Sequence, residues 1–400
     1  MVLYKMKKFL AHRLSGLKSE SAFEVLAKAR KLESQGVKVI HMEIGEPDFP
    51  SPPQVIDAAS KAMYQGQTKY CSPAGLASVQ EVIAEYSGKL RNINYDTNEV
   101  VIVPGAKPIL SFTMMACINP GDEIIYPNPG FPIYESLIRF CGGIPVPIQM
   151  EEIGDNFSID ISKLRSLITP KTKMLILNSP HNPTGGILTD KELEEISSLC
   201  IEHDLLVLSD EVYNKIYYEE VPKSIASYPG MKERTVVVDG FSKTFSMTGW
   251  RLGYGLMPQE LAHHITNLVI NSNSCTPPFI QIAGVEALKS CQAETKMMLL
   301  EFAKRREILV NGLNAIPGFH CPKSKGAFYA FPNVSGTGKT SSELSHELLE
   351  KAGVAVLDGG SFGVYGKNYI RLSYATSIDN INEALNRINS FINNKKISLM

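Results

Sequence analysis

The sequence predicts an α/β protein with a mostly parallel central sheet in a large domain, beside a smaller α+β domain. The chain has 400 residues, which is long for one small domain and short for three full ones. Between about residue 98 and residue 260, short β-branched runs alternate with helix-compatible stretches. Apolar strands that alternate with helices are typical of a parallel sheet covered on both faces.

The strands and helices of this middle region can be placed individually. The predicted strands lie at 99–103, 122–127, 143–148, 173–178, 205–209 and 235–239. The predicted helices between them lie at 108–118, 132–142 and 189–204. The third of these helices opens on a Thr-x-x-Glu capping box formed by Thr189 and Glu192, which is a strong signal for a helix start.

The two ends of the chain have a different pattern and predict the second domain. Helices are expected at 19–35, 288–315, 341–352 and 378–393, with short apolar runs between the last three. This mixed layout predicts that both ends contribute to one small domain. We therefore expect an N-terminal arm and part of the small domain over 1–48, the large domain over 49–287, and the small domain over 288–400.

Composition excludes several classes of protein. The formal net charge is -1, so bulk electrostatics do not favour nucleic acid or an anionic membrane surface. No apolar run reaches the length of a transmembrane helix, and the basic N-terminus lacks the apolar region of a secretory signal. Seven scattered cysteines without a C-x-x-C pair predict a reduced cytoplasmic protein with no disulfide framework and no metal site.

Polar loops follow four of the predicted strands. In open parallel sheets, ligands bind at the carboxyl ends of the strands. The four loops are "PGAKP" (104–108), "SPHNPTGG" (179–186), "DEVY" (210–213) and "GFSKTFSMTGWRLGYG" (240–255). Each loop alone has an ordinary interpretation, such as a plain turn, a helix cap or a solvated surface lysine. Their position at successive strand ends predicts that they converge on one pocket.

One cofactor, pyridoxal 5′-phosphate (PLP), needs all four kinds of group. A lysine amine forms a Schiff base with its aldehyde, and a carboxylate keeps its pyridine nitrogen protonated. A phenol and an amide hydrogen-bond its ring oxygen. A helix N-terminus and an arginine bind its phosphate. The sequence therefore predicts a PLP site at the carboxyl edge of the sheet.

At this point the chain resembles the class I/II PLP-dependent aminotransferases, which are aspartate aminotransferase-like enzymes of fold type I. The resemblance runs from "IGEPDF" (44–49) to "YIRLSYA" (369–375), and its most specific stretches are "SPHNPTGG" and "SKTFSMTGWRLGY". It implies ping-pong transfer of an amino group from an L-amino acid to a 2-oxo acid through pyridoxamine phosphate. The reading from strand ends and the resemblance therefore agree on the cofactor.

The resemblance assigns the catalytic roles. Lys243 matches the Schiff-base lysine, which also moves the proton between the substrate Cα and the cofactor. Asp210 matches the partner of the pyridine nitrogen. Tyr213 and Asn182 match the phenol and the amide at the ring oxygen. Arg371 matches the arginine that binds the substrate α-carboxylate with both arms of its planar fork.

The same resemblance assigns the remaining contacts. A glycine close to the substrate matches Gly45, and an aromatic stacked on the pyridine matches Phe131, although a core phenylalanine is an equally good interpretation. Tyr70 matches a tyrosine that reaches the phosphate of a neighbouring subunit, which implies a homodimer. The residues that match phosphate ligands are Gly105, Ala106, Lys107, Ser242 and Arg251.

Two departures and two alternatives remain open. Gly240 stands where many relatives have a serine on the phosphate, and the segment 112–118 lacks the cation that would bind a distal carboxylate. The donor and acceptor therefore stay undefined. Other PLP reactions on this scaffold, such as a β-lyase, a decarboxylase or a cyclopropane-forming synthase, are an alternative. A non-catalytic PLP-binding regulator is disfavoured, because no basic helix-turn-helix precedes residue 40.

Overall fold

The computed structural model describes residues 9–17 and 21–394 of the chain. Parts of the predicted N-terminal arm, namely residues 1–8 and 18–20, lie outside these described residues. The first two residues of the helix predicted over 19–35, and residues 395–400 of the predicted small domain, lie outside them as well.

The described residues form twelve α-helices and thirteen short or medium strands. The helices are α1 Ser21–Glu33, α2 Pro53–Tyr64, α3 Ala77–Arg91, α4 Lys107–Cys117, α5 Ile133–Phe140, α6 Ile161–Leu167, α7 Asp190–Glu202, α8 Gln259–Ser272, α9 Pro278–Ser290, α10 Gln292–Asn314, α11 Ser341–Ala352 and α12 Ile378–Ile392. The strands are β1 Ile40–His41, β2 Val100–Val103, β3 Glu123–Asn128, β4 Ile144–Ile153, β5 Asn156–Ile159, β6 Thr172–Asn178, β7 Leu206–Asp210, β8 Thr235–Gly240, β9 Gly253–Leu256, β10 Tyr329–Ala330, β11 Val354–Ala355, β12 Leu357–Asp358 and β13 Ile370–Ser373.

The main sheet has eight strands in the order β2-β9-β8-β7-β6-β3-β4-β5. The pairs from β8 through β7, β6 and β3 to β4 are parallel, whereas β9 and β5 pair antiparallel to their neighbours. All six predicted strands are members of this sheet, so the α/β prediction is confirmed. The capping box is confirmed too: the Glu192 N–H donates to Thr189 Oγ1 at 3.3 Å, and Glu192 Oε2 accepts from the Thr189 N–H at 2.6 Å.

Both faces of the sheet are covered, because successive apolar residues in the middle of its central strands are buried. Val207 and Leu208 of β7 are completely buried, yet they belong to different hydrophobic clusters. Successive side chains of a strand point to opposite faces, so each neighbour packs into a separate core. This is the reason that the strands appear in the sequence as continuous apolar runs rather than alternating ones.

A further core joins the two ends of the chain. Ile40 and Met42, at the β1 strand, pack in one cluster with Phe302 of α10, Ile370 of β13 and Ile388 of α12. β1 pairs parallel with β11, and β10, β13 and β12 form a small antiparallel sheet. The N-terminal segment is therefore packed against the C-terminal third of the chain.

The helix predicted over 288–315 is two helices in the structure. α9 ends at Ser290 and α10 begins at Gln292, with Cys291 between them in a non-helical conformation. The separation has a packing reason. Ala283 and Ala287 of α9 are buried in the core of the main sheet, whereas Phe302 and Leu309 of α10 are buried in the core that joins the chain ends.

Within residues 9–17 and 21–394, no helix is both long and apolar enough to cross a membrane.

The sheet brings the predicted loops to one edge. Asn178 at the end of β6 is paired with Asp210 at the end of β7, and Asp210 is paired in turn with Val238 of β8. β8 ends two residues later at Gly240, three residues before Lys243. The parallel register therefore places the asparagine, aspartate and lysine loops side by side.

Candidate active site

A cavity of about 560 Å³ opens at the carboxyl edge of the main sheet. Eleven of the thirteen residues predicted for the site line it: Gly45, Ala106, Lys107, Phe131, Asn182, Asp210, Tyr213, Ser242, Lys243, Arg251 and Arg371. Gly105 lies behind the lining, against Arg251. Tyr70 is 89% exposed and does not line this cavity, which is compatible with its predicted reach to a neighbouring subunit.

Lys243 lies inside the cavity in the loop after β8. Its Nζ donates a hydrogen bond to the Gly45 carbonyl oxygen and lies 6.0 Å from the centre of the Tyr213 ring. Burial lowers the pKa of Lys243 to about 8, against the opposing effect of the Glu46 carboxylate. The nearby cations Arg371, Lys107 and Arg251 lower it further. A large fraction of this amine is therefore neutral near pH 8, as a nucleophilic amine must be.

Asp210 is a buried carboxylate at the end of β7. Burial raises its pKa to about 6, although a hydrogen bond of 2.7 Å from the Tyr134 hydroxyl to its Oδ2 acts in the opposite direction. The backbone N–H of Val212 donates to Oδ1 at 3.4 Å. A buried carboxylate with a raised pKa is poised to accept a cationic donor, because such a partner compensates its desolvation.

A buried ion cluster lies next to this edge of the sheet. The Arg91 guanidinium donates from Nε to Glu211 at 2.9 Å and from Nη2 to Asp239 at 2.8 Å. Glu211 follows Asp210 directly and Asp239 precedes Gly240. One arginine from α3 therefore bridges carboxylates at the ends of β7 and β8. We call Arg91, Glu211 and Asp239 the strand-end clamp.

The turn between β2 and α4 has the features of an anion cradle. Gly105 has φ of 82°, and a Cβ built on it would lie 2.1 Å from Arg251 Nη2. The guanidinium therefore lies directly over the backbone of the turn. Ala106, the residue before α4, provides no side-chain cap to the helix. Pro108 has no N–H and the Ile109 N–H donates to the Ala106 carbonyl oxygen at 3.1 Å, so an anion at this turn would be bound by the backbone of the turn itself together with Arg251.

Gly240, which stands where many relatives have a serine, has close neighbours in the structure. A Cβ on Gly240 would lie 3.1 Å from Gly253 Cα and 3.2 Å from the Leu252 carbonyl oxygen, and 3.6 Å from the Ala106 Cβ. Contacts of 3.1 Å are tighter than side chains normally make. A side chain at this position would therefore require its neighbours to shift by a few tenths of an ångström.

Arg371 is almost completely buried on β13. Nη1 donates to Asn182 Oδ1 at 3.0 Å, and Nη2 donates to the Glu43 carbonyl oxygen at 2.5 Å. The guanidinium lies 4.4 Å from the centre of the Tyr329 ring, in a cation–π contact. The arginine fork is therefore fixed in the cavity before a substrate arrives.

Phe131 and Lys107 lie together on the wall of the cavity. Lys107 Nζ is 5.3 Å from the centre of the Phe131 ring, and that ring meets Tyr134 edge-on at 5.8 Å. Phe131 is half-buried: it lines the cavity and also packs against one of the cores of the main sheet.

Several residues that line the cavity were not predicted from the sequence. Tyr134 and Tyr329 are buried phenols, and the side chain of Asn178 accepts from the Asn182 N–H at 2.8 Å. Ala22 and Phe23 bring α1 to the cavity. Tyr134 lies three residues after Phe131 in the sequence, and this proximity was the available signal. Nothing in the sequence pattern distinguishes Tyr329 from a core residue of its short strand.

The donor set fits PLP on chemical grounds. A buried carboxylate suits a pyridinium nitrogen, a partly neutral lysine suits an aldehyde, and a guanidinium over the glycine turn before a helix suits a phosphate. The cavity also contains more cationic than acidic side chains, with Lys107, Lys243, Arg251 and Arg371 against Glu46 and Asp210.

Comparison with known proteins agrees with this chemistry. The family model "Aminotransferase class I and II" matches residues 37–388. The aspartate aminotransferase of Pyrococcus abyssi (strain GE5 / Orsay) is 40% identical over 90% of this chain and 93% of that protein. The aromatic-amino-acid aminotransferase 2 of Thermococcus litoralis is 37% identical over 91% of this chain and 94% of that protein.

A solved structure supports the same relationship. The aspartate aminotransferase from Thermus thermophilus with maleate has a TM-score of 0.91 and 35% identity, covering 95% of this chain and 98% of that one. This chain therefore belongs to the class I and II aminotransferases, which are PLP-dependent enzymes that transfer amino groups from amino acids to 2-oxo acids by a ping-pong mechanism.

Proposed function

We propose that the enzyme uses a dicarboxylic L-amino acid as donor, and that the predicted residues act in the roles assigned above. The observation that carries this proposal is the presence of two separate cations, Arg371 and Lys107, on the wall of one cavity with Lys243. An amino acid with two carboxylates can engage both cations, whereas alanine or phenylalanine can engage only one.

The roles at the cofactor rest on the geometry around Lys243. PLP, when bound, supplies an electron sink for the electrons of a substrate Cα bond. Lys243 then holds the cofactor and moves the proton at Cα, for which its lowered pKa is suited. Asp210 holds the pyridine nitrogen, while Tyr213 and Asn182 donate to the ring oxygen. Phe131 supports the pyridine face.

The phosphate and the substrate are bound by separate groups. The proposed phosphate ligands are Gly105, Ala106, Lys107, Ser242 and Arg251, at the cradle and the lysine loop. Arg371 binds the α-carboxylate with the fork that Asn182 already orients at 3.0 Å. Gly45 is proposed to lie close to the substrate, and its lack of a side chain leaves room for the Tyr329 hydroxyl.

Lys107 is the proposed partner of the distal carboxylate. Its backbone belongs to the cradle, while its Nζ lies over the Phe131 ring in the cavity. The family resemblance predicted this cation in the segment 112–118, but that segment contains no charged residue. The proposal is supported by the relatives whose names specify aspartate, although one named for aromatic amino acids is also similar.

A Lys107→Met variant tests the substrate class. We measure the first half-reaction, without an acceptor, through the change in cofactor absorbance on addition of L-aspartate, L-glutamate, L-alanine or L-phenylalanine. Wild-type kcat/KM should be highest for a dicarboxylic donor. The variant should lose about 10- to 100-fold in kcat/KM for that donor, because a charge-assisted hydrogen bond is lost, and about twofold at most for L-alanine.

The controls separate binding of the distal carboxylate from binding of the cofactor. Lys107→Arg keeps the charge and should retain most of the preference. An equal loss for all donors would mean that Lys107 acts on the cofactor alone. A wild-type preference for L-phenylalanine over both dicarboxylic donors would contradict the proposed substrate class.

A homodimer is proposed from the position of Tyr70. This tyrosine is 89% exposed in the single chain, and the nearby Tyr64 is 94% exposed. A second copy would cover them and bring the Tyr70 hydroxyl to the phosphate of the partner subunit.

A hybrid dimer tests this arrangement. One subunit carries Lys243→Ala and the other carries Tyr70→Phe. If Tyr70 acts across the interface, the subunit that retains Lys243 receives an intact Tyr70, and half of the sites should bind PLP with wild-type affinity. Sedimentation that shows an active monomer, or hybrid sites as weak as those of the Tyr70→Phe homodimer, would exclude the arrangement.

The domain division and the cytoplasmic location remain proposals. The division near residues 48 and 287 is supported by the separate cores of the main sheet and of the joined chain ends. The cytoplasm is supported by the seven cysteines, all unpaired within the described residues. Limited proteolysis and cell fractionation test these two points.

A further inference from the structure

Two buried phenols meet inside the cavity. The hydroxyl oxygens of Tyr213 and Tyr329 are 2.7 Å apart, and the two side chains are 4% and 1% exposed. Either oxygen can be the donor in this hydrogen bond. Only Tyr213 was predicted to take part in the chemistry, so the direction of the bond decides what Tyr329 does.

The number of protons on a phenol fixes that direction. A tyrosine hydroxyl has one proton to donate and lone pairs to accept with. Burial raises the pKa of Tyr213 well above its ordinary value, so its hydroxyl keeps that proton. If Tyr213 uses the proton on the ring oxygen of the cofactor, its contact with Tyr329 requires Tyr329 to be the donor.

Contacts of its ring, its hydroxyl and its backbone fix the position of Tyr329. Its ring lies 4.4 Å from the Arg371 guanidinium and packs on Phe328 with ring centres 4.9 Å apart. A Cβ built on Gly45 would lie 2.1 Å from the Tyr329 hydroxyl oxygen, so this phenol fills the space beside the glycine. The backbone of Tyr329 is paired with Ser373 of β13.

We propose that Tyr329 is a positioning residue that donates to Tyr213 and thereby aims the Tyr213 proton at the ring oxygen of PLP. The inference rests on the proposed role of Tyr213. A phenol that accepts one hydrogen bond becomes a stronger donor in the next, because hydrogen bonds in a chain polarise one another. Tyr329 therefore strengthens the hydrogen bond from Tyr213 to the cofactor and does not itself take part in the transfer of the amino group.

The test is a pH titration of the visible absorbance of the holoenzyme. Tyr329→Phe removes the hydroxyl and keeps the ring over Arg371. In this variant the Tyr213 hydroxyl accepts no hydrogen bond from residue 329 and is a weaker donor. More negative charge then stays on the ring oxygen of PLP, so the bound cofactor keeps its proton to a higher pH. The titration midpoint should rise by about 0.5 to 1 pH unit, the effect of one hydrogen bond on one protonation equilibrium. KM for the amino donor should change less than about twofold, because the cation–π contact remains.

The chain offers a matched control. Tyr218 and Tyr374 form a second phenol pair, 2.8 Å apart, which does not line the cavity. Tyr374→Phe removes a hydroxyl from this pair and leaves Tyr218 with its bond to the Ala327 carbonyl oxygen at 2.6 Å. Its titration midpoint should match that of the wild type. Tyr329→Leu is a second variant and should give the same rise as Tyr329→Phe.

A double variant separates failure of this inference from failure of the proposed function. Tyr213→Phe alone should raise the midpoint, and adding Tyr329→Phe to it should cause no further rise, because the two hydroxyls act in series. An unchanged midpoint in Tyr213→Phe would overturn the role of Tyr213 and this inference together. A shift in Tyr213→Phe with none in the Tyr329 variants, or shifts that add, would overturn the role of Tyr329 alone.

Discussion

Replacing Lys243 with alanine is expected to remove the covalent attachment of PLP and to lower transamination by about 10⁴-fold, because the variant loses both its nucleophile and the base that moves the Cα proton. The visible absorbance of the protein-bound cofactor should be lost at the same time. The amine lies in the cavity, where its pKa is lowered to about 8. Absorbance spectra and single-turnover rates with an amino donor measure both effects.

Two further variants test whether the loss of activity comes from the missing amine of Lys243 or from the loss of a positive charge. Lys243→Arg keeps a cation in the cavity but provides no neutral amine, so it should lose activity as Lys243→Ala does. Lys351→Ala removes an exposed lysine that pairs with Glu347 on α11 and should leave the rate unchanged. Retained turnover and an unchanged visible band in Lys243→Ala would exclude Lys243 as the attachment site.

Replacing Arg91 with methionine is expected to give the largest loss of stability. It leaves the carboxylates of Glu211 and Asp239 buried without their shared cation. Removing one partner of a buried ion pair destabilises a protein by about 3 to 5 kcal/mol. The free energy of unfolding, from denaturant titration at fixed protein and PLP concentrations, measures the effect.

The control for Arg91 lies on the same helix. Lys89 of α3 forms an exposed pair with Glu85, and Lys89→Met should change the free energy of unfolding very little. Adding Asp239→Asn to Arg91→Met should restore part of the lost stability, because one of the two unpaired charges is neutralised. A loss no larger for Arg91→Met than for Lys89→Met would show that the strand-end clamp does not stabilise the fold.

The meeting of Asn182, Asp210 and Lys243 in one cavity could be predicted from the sequence, because all three lie at or just after strand ends. Asn182, Asp210 and Lys243 follow three runs that can be recognised locally by their apolar, β-branched residues. Once those runs are parallel strands, their carboxyl ends must lie at one edge. The convergence of distant loops therefore follows from local pattern and one topological rule.

The residues that were missed depend on contacts between distant segments. The role of Tyr329 follows from its hydroxyl lying 2.7 Å from that of Tyr213, across 116 positions of sequence. Arg91 is the last residue of a helix with several other charged side chains, and only packing shows that it is buried between two carboxylates. Local pattern has no information about either pairing.

The helix predicted over 288–315 shows the same limit, because the structure divides it at Cys291. Both α9 and α10 have helical sequence patterns, so the two appear as one helix. Their separation at Cys291 is decided by the two cores into which they pack.

The sequence by itself determined the fold class, six strands of the main sheet and the polar groups that meet in the cavity at its carboxyl edge, because these depend on local periodicity and on which residue types follow each strand. Only the tertiary structure decided that Arg251 lies over Gly105, that Lys107 shares a cavity with Arg371, and that the hydroxyls of Tyr329 and Tyr213 meet. The physical reason is that close packing and hydrogen-bond direction are properties of pairs of atoms, and the chain brings those pairs together only when it folds.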